Sequence, residues 1–112
     1  MTTLDVTTHT RPDGVHVELS GELDLATATK LEDELRRVEE DDPPMIVLDL
    51  QALSFMDSSG LRALLSADTR SREAGRRFVL VRGDERVQRV LRITRLDERL
   101  EIVDSVDAAA GA

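Results

Sequence analysis

Met45-Ile-Val-Leu-Asp-Leu-Gln-Ala-Leu-Ser-Phe-Met-Asp-Ser-Ser-Gly-Leu-Arg-Ala-Leu-Leu65 is the stretch on which the fold turns. Ile46, Val47, Leu48 and Leu50 form a nearly continuous apolar run rich in β-branched residues, the pattern of a central strand buried on both faces. Gln51 to Met56 reads as the loop that follows. Asp57, Ser58 and Ser59 are all strong helix N-cap types, and Leu61, Leu64 and Leu65 then recur at helical spacing. The reading places the Ser58 hydroxyl at the mouth of a helix directly after a buried strand, where free backbone N–H groups converge.

Upstream, Leu4 to Thr10 and Val15 to Gly21 flank Arg11-Pro12-Asp13-Gly14, whose Pro-Asp-Gly order suits a tight reversal, so the chain opens with a hairpin. Ala28, Leu31, Leu35 and Val38 lie on one helical face between Leu25 and Glu40, with Asp24 or Thr27 available as a cap and Pro43-Pro44 as a stop. Downstream, a helix from about Ser58 to Ala74 ends at Gly75 as a left-handed cap, and Phe78 to Val81 supplies another buried strand. Asp84 can cap a helix through Val87, Val90 and Leu91. Leu100 to Val103 adds a short strand or leads into a final helix, and the Ala-rich end from Asp104 to Ala112 is expected to fray. The order predicts an α/β domain spanning 1–112, a mixed sheet of about four or five strands with an antiparallel opening hairpin and later parallel strands, flanked by about four helices. If the strands at Val15 to Gly21 and Ile46 to Leu50 are parallel, their carboxyl ends share an edge and bring Asp24 to the Asp57-Ser58-Ser59 turn.

Composition narrows the chemistry. A formal net charge of -8 opposes nonspecific binding to nucleic acid, whose phosphates require a surplus of Lys and Arg. The absence of cysteine removes disulfides, thiolate catalysis and Cys-based metal sites. Phe55 and Phe78 are the only aromatic residues, too few for base stacking or aromatic cages. No run approaches the ~20 apolar residues of a membrane span, and the amino terminus lacks a basic segment followed by an apolar stretch. The expectation is a soluble, cytoplasmic protein without signal peptide or membrane partner.

Asp-Ser-Ser-Gly before a leucine-rich helix is, by itself, a capping sequence. A nucleophilic serine needs a base, yet there is no Gly-x-Ser-x-Gly elbow, and His9 and His16 belong to the opening hairpin. Two histidines without a third ligand make a poor metal site, so no metal is expected. Neither Gly-x-x-x-x-Gly-Lys-Ser/Thr nor Gly-x-Gly-x-x-Gly is present. The expectation is that the chain does not transfer phosphate itself, which leaves open that it receives one. The acidic run Glu39-Glu40-Asp41-Asp42 reads as a solvated helix end.

Ile46 to Leu61, preceded by Leu19-Ser-Gly-Glu-Leu-Asp24, resembles the STAS domain of bacterial anti-sigma factor antagonists, with both blocks at suitable separation and the likeness extending over nearly the whole chain. The resemblance implies a small mixed sheet flanked by helices, no catalytic activity and no cofactor. It implies that Ser58 is phosphorylated, with Ser59 as its neighbour and cap, and that Asp24, Asp57, Ser59, Gly60, Leu61 and Arg62 contribute to a partner-binding edge. The implied partners are an anti-sigma factor with a histidine-kinase-like ATPase domain, which is also the serine kinase, and a serine phosphatase. Binding of the unphosphorylated form would free a sigma factor. Arg62 stands where members of the family often have glycine, and its guanidinium either pairs with a phosphate on Ser58 or extends into solvent. Two other readings are a STAS module that binds a nucleotide or anion or serves as a scaffold in a sensory complex, and an enzyme with Ser58 as nucleophile.

Overall fold

A computed structural model describes residues 2–111. The elements in chain order are β1 (Leu4–Arg11), β2 (Gly14–Leu23), α1 (Ala28–Glu40), β3 (Met45–Met56), α2 (Ser58–Glu73), β4 (Arg77–Val81), α3 (Glu85–Ile93), a 3-10 turn (Leu96–Glu98), β5 (Glu101–Val103) and α4 (Val106–Gly111). The five strands form one sheet in sequence order, β1 antiparallel to β2 and the remaining neighbours parallel. The expected mixed α/β architecture is present.

The hairpin turns tightly at Pro12-Asp13, with Arg11 paired to Gly14. Gly14 has φ +150, and a Cβ there would lie 2.2 Å from the Met45 carbonyl oxygen, so only glycine lets β2 run this close to the start of β3. The end of α2 is closed as expected by Gly75, at φ +70. The Gly75 amide donates to Arg72 and the Arg76 amide to Ser71, the paired bonds of a Schellman cap.

Three boundaries differ from the sequence reading. β3 continues through Gln51 to Met56, where a loop was expected, because pairing with β2 resumes after two register shifts, at Ser20 with Ala52 and at Glu22 with Phe55. Bulges carry a strand past residues whose polarity no longer alternates. Helix α1 starts at Ala28 instead of Leu25, because the Asp24 carboxylate accepts the Ala26 and Thr27 amides and holds Asp24 to Thr27 in a turn. The chain end, expected to fray, is helical over Val106–Gly111, with Ala109 buried against Met45, Val47, Val79 and Val81.

The two faces of the sheet are covered unequally. Helices α1, α2 and α3 pack Leu31, Leu35, Leu61, Leu64, Val87 and Leu91 onto Val17, Leu19, Ile46, Leu48, Leu50 and Leu80 in the main aliphatic core. On the opposite face α4 covers only the β3–β5 side. The acidic end of α1 is not simply solvated. Glu39 takes two hydrogen bonds from Arg70 of α2, at 2.7 and 2.9 Å, and Asp42 accepts from the buried Arg76 at 2.8 Å. These arginines offset the unfavourable charge at the helix terminus and tie α1 to α2.

Helix α1 is also tied to the hairpin. Lys30, the only lysine, donates to the Leu4 carbonyl at 2.6 Å, and the Thr8 hydroxyl donates to Glu34, which also pairs with Arg37. The Arg37 guanidinium, aided by the Thr8 hydroxyl, holds the Glu34 carboxyl down from its ordinary 4.5 to about 2. A depressed folded-state pKa contributes stability that is complete above the unfolded value and is lost as pH falls through the folded one. Glu34→Gln is therefore expected to weaken the loss of stability between about pH 5 and pH 2, read from denaturation midpoints across that range; an acid limb as steep as that of the unsubstituted chain refutes the assignment. Gly60, in the first turn of α2, supports a second expectation. A Cβ there would meet Leu23 Cγ and Met56 Cγ at 2.8 Å, so Gly60→Ala should cost about 1–3 kcal/mol through overpacking. Its thermal midpoint should fall by several degrees, and an unchanged midpoint contradicts the close approach.

Candidate functional site

Leu23 and Met56 are the last paired residues of β2 and β3, and the Asp57 amide donates to the Leu23 carbonyl at 3.2 Å. Asp24 and Asp57 thus leave the same edge from strands about 4.8 Å apart. The two blocks of sequence expected to meet do meet there.

Asp57 is the N-cap of α2, extended at φ -111 and ψ -169, and its Oδ1 accepts from the Ser59 amide at 2.8 Å and the Gly60 amide at 3.2 Å. Its carbonyl accepts from Leu61. The cap is therefore Asp57, and Ser59 lies within the first turn, contrary to the capping role that the resemblance implied for it. The consequence for anions is direct. Two of the amides expected to be free at this helix end are occupied by a carboxylate, so the turn does not offer an open cradle.

Ser58, the first residue of α2, is exposed, and its hydroxyl makes no hydrogen bond among the described residues. It is held at a defined place by the cap while remaining accessible. Asp24 is half-buried and engaged through Oδ1 with the start of α1. Arg62 is exposed; its Nη2 reaches Ser59 Oγ at 3.3 Å, a long contact for a charged donor, and it forms no ion pair among the described residues. The guanidinium stays in solvent beside the serine pair.

Two residues expected at a partner surface face inward. Gly60 is buried under α2, and Leu61, 8% exposed, belongs to the main core. Their side of the helix positions the turn and presents nothing to a partner. Conversely, Leu25 is 76% exposed and Phe55 47% exposed, two of the three large hydrophobic side chains so placed among the described residues, and both leave the edge that carries Ser58. Leu25 follows Asp24 in the turn before α1, and Phe55 precedes Met56 at the end of β3. Neither stands out in the sequence: Leu25 reads as the start of a helix and Phe55 as part of a loop. The one available signal was that Leu25 lies outside the Ala28, Leu31, Leu35, Val38 stripe.

His9 and His16 lie at the amino end of β2 and its hairpin partner, the opposite end of the parallel strands from Ser58. No imidazole can serve the Ser58 hydroxyl as a base.

Comparisons with known proteins agree with this fold. Residues 4–109 match the family model for the STAS domain. Anti-sigma-F factor antagonist RsfB of Mycobacterium tuberculosis is 32% identical over 101 residues, covering 88% of this chain and 82% of that protein. The anti-sigma-B factor antagonist of Listeria monocytogenes is 30% identical over 90 residues, covering 80% and 79%. Among solved structures, an anti-sigma factor antagonist from Mycobacterium paratuberculosis superposes with a TM-score of 0.88 at 29% identity, covering 97% of this chain and 92% of that one. The unphosphorylated form of SpoIIAA shares the fold, with a TM-score of 0.80 at 20% identity over 95% and 93% of the two chains. Fold, edge geometry and a family match spanning nearly every residue together make this chain a member of the STAS domain family.

Proposed function

We propose that this protein is an anti-sigma factor antagonist controlled by phosphorylation of Ser58. Its unphosphorylated form binds an anti-sigma factor with a histidine-kinase-like ATPase domain and so frees a sigma factor. That same partner transfers phosphate to Ser58 and ends the association, and a serine phosphatase restores it. The observation that carries this reading is the exposed, unbonded Ser58 hydroxyl fixed at a capped helix start beside Asp24 and Asp57. The names of the relatives support the same class of partner.

The switch follows from charge. A phosphate adds about 1.5 to 2 negative charges. At an unoccupied helix start it gains roughly 0.3–1 kcal/mol from the terminal amides. Here Asp57 already holds those of Ser59 and Gly60, so the phosphate stands next to a carboxylate instead. The fold loses little, since Ser58 is exposed, but a partner closing over this edge must desolvate a dianion beside Asp57 and Asp24. A penalty of about 3–4 kcal/mol weakens binding by a few hundredfold. Leu25 and Phe55 supply the apolar contact that charged residues alone do not. The occupied amides also weigh against the reading in which a nucleotide or anion is held at this terminus.

Intact-mass analysis after incubation with ATP and the cognate anti-sigma kinase should show a gain of one phosphate that disappears in Ser58→Ala. The isolated phosphoprotein should bind that partner a few hundredfold more weakly with an almost unchanged thermal midpoint. Phosphate retained in Ser58→Ala, or equal affinity of the two forms, refutes the proposal. Leu25→Ala and Phe55→Ala are each expected to lower affinity for the unphosphorylated chain about thirtyfold, the scale of an interface hot spot, without loss of fold. Unchanged dissociation constants in both variants would remove the apolar part of this interface.

A further inference from the structure

The uncovered face of the sheet carries a second cluster, at the end of the strands opposite Ser58. His9 of β1 is directly paired with His16 of β2, and their ring centroids are 5.4 Å apart. Glu18 lies two residues beyond His16 on the same face of β2, with its Oε1 2.9 Å from His9 Nε2 and 4.0 Å from His16 Nδ1. Behind them Asp49 of β3, paired in register with Glu18, places Oδ2 3.0 Å from His16 Nε2. Helix α4 covers only the neighbouring side of this face, so the cluster opens to solvent.

We propose that His9, His16 and Glu18 form a binding site for a divalent transition metal ion of the kind that prefers imidazole ligands, with Zn2+ as the probe. One donor atom from each of the three side chains already lies within 4.8 Å of the others. A tetrahedral zinc ion with ligand bonds near 2.0–2.1 Å requires donors separated by about 3.4 Å. The 2.9 and 4.0 Å separations bracket that value.

Asp49 gives the cluster its direction. Its side chain is only 10% exposed, and Oδ1 is taken by the Gln51 amide while Oδ2 faces His16 Nε2. A carboxylate on Nε2 draws the ring proton to that nitrogen and leaves the Nδ1 lone pair turned toward Glu18. This carboxylate–imidazole pair is the usual support of a metal-bound histidine. His9 and Glu18, each about half exposed at 49%, leave room for water in a fourth position. The ion would join edge strand β1 to β2 and leave the Ser58 edge untouched.

The test uses the untagged full chain in a non-coordinating buffer, titrated calorimetrically with zinc chloride while the imidazole resonances are followed by NMR. One zinc per chain, shifts at both His9 and His16, and at least tenfold weaker binding in His9→Ala and in His16→Ala are expected. Asp49→Asn should weaken binding by roughly ten- to a hundredfold, the usual effect of losing the support of a ligand. His9 lies exposed on an edge strand, so its truncation preserves the fold, and the thermal midpoint of the metal-free variant checks this. Absence of binding, binding unaffected by both histidine substitutions, or half a zinc per chain in a metal-bridged dimer would each overturn a site within one chain.

Discussion

The parallel pairing of β2 with β3 is the constraint from which the rest of the molecule follows. Parallel neighbours cannot be joined by a tight turn, so α1 must cross over between them and pack on the sheet. Because Leu23 is matched to Met56, the residues that follow, Asp24 and Asp57, leave at one edge, and α2 begins there. Because Glu18 is matched to Asp49, the other end of the same pairing sets a carboxylate of β3 beneath the polar row of β2. One register therefore positions both the serine turn and the histidine cluster.

That register depends on close backbone approaches. Gly14 admits the Met45 carbonyl, and Gly60 admits Leu23 and Met56 beneath the first turn of α2. At the second position the close fit is what lets Asp57 act as a cap while Ser58 points outward. An aliphatic core with Phe78 as its only aromatic member fills most of the space between helices and sheet. The polar chemistry is left to the rims, where Glu39–Arg70 and Asp42–Arg76 tie the elements together. The two-sided burial of β3 separates the surfaces: α1 to α3 occupy one face, and α4 leaves the β1–β2 side of the other open.

Residue patterns carried much of the architecture. The run Ile46 to Leu50, the stripe Ala28, Leu31, Leu35, Val38 and the cap Gly75 each have a local physical signature, and each appears where it was expected. Boundaries were less legible. Gln51 to Met56 lacks alternation, and only its bulged pairing with β2 makes it a strand. Asp57, Ser58 and Ser59 are all good caps by type, and the choice of Asp57 is made by the extended backbone that leaves Met56. The family resemblance puts Leu61 at the partner-binding edge, yet helical geometry turns it inward.

The sequence alone determined what is local or periodic: an aliphatic α/β domain, an opening hairpin, alternating helices and later strands, and a serine at a helix start. Those features follow from the periods of strand and helix and from the few residue types that cap or reverse a chain. Tertiary structure alone decided which groups face one another across strands. The exposure of Leu25 and Phe55, the inward turn of Leu61, the occupation of the Ser59 and Gly60 amides, and the convergence of His9, His16, Glu18 and Asp49 all depend on it. The physical reason is that register is collective: a shift of one residue moves every side chain of a strand to the other face, and no short window of sequence contains that choice.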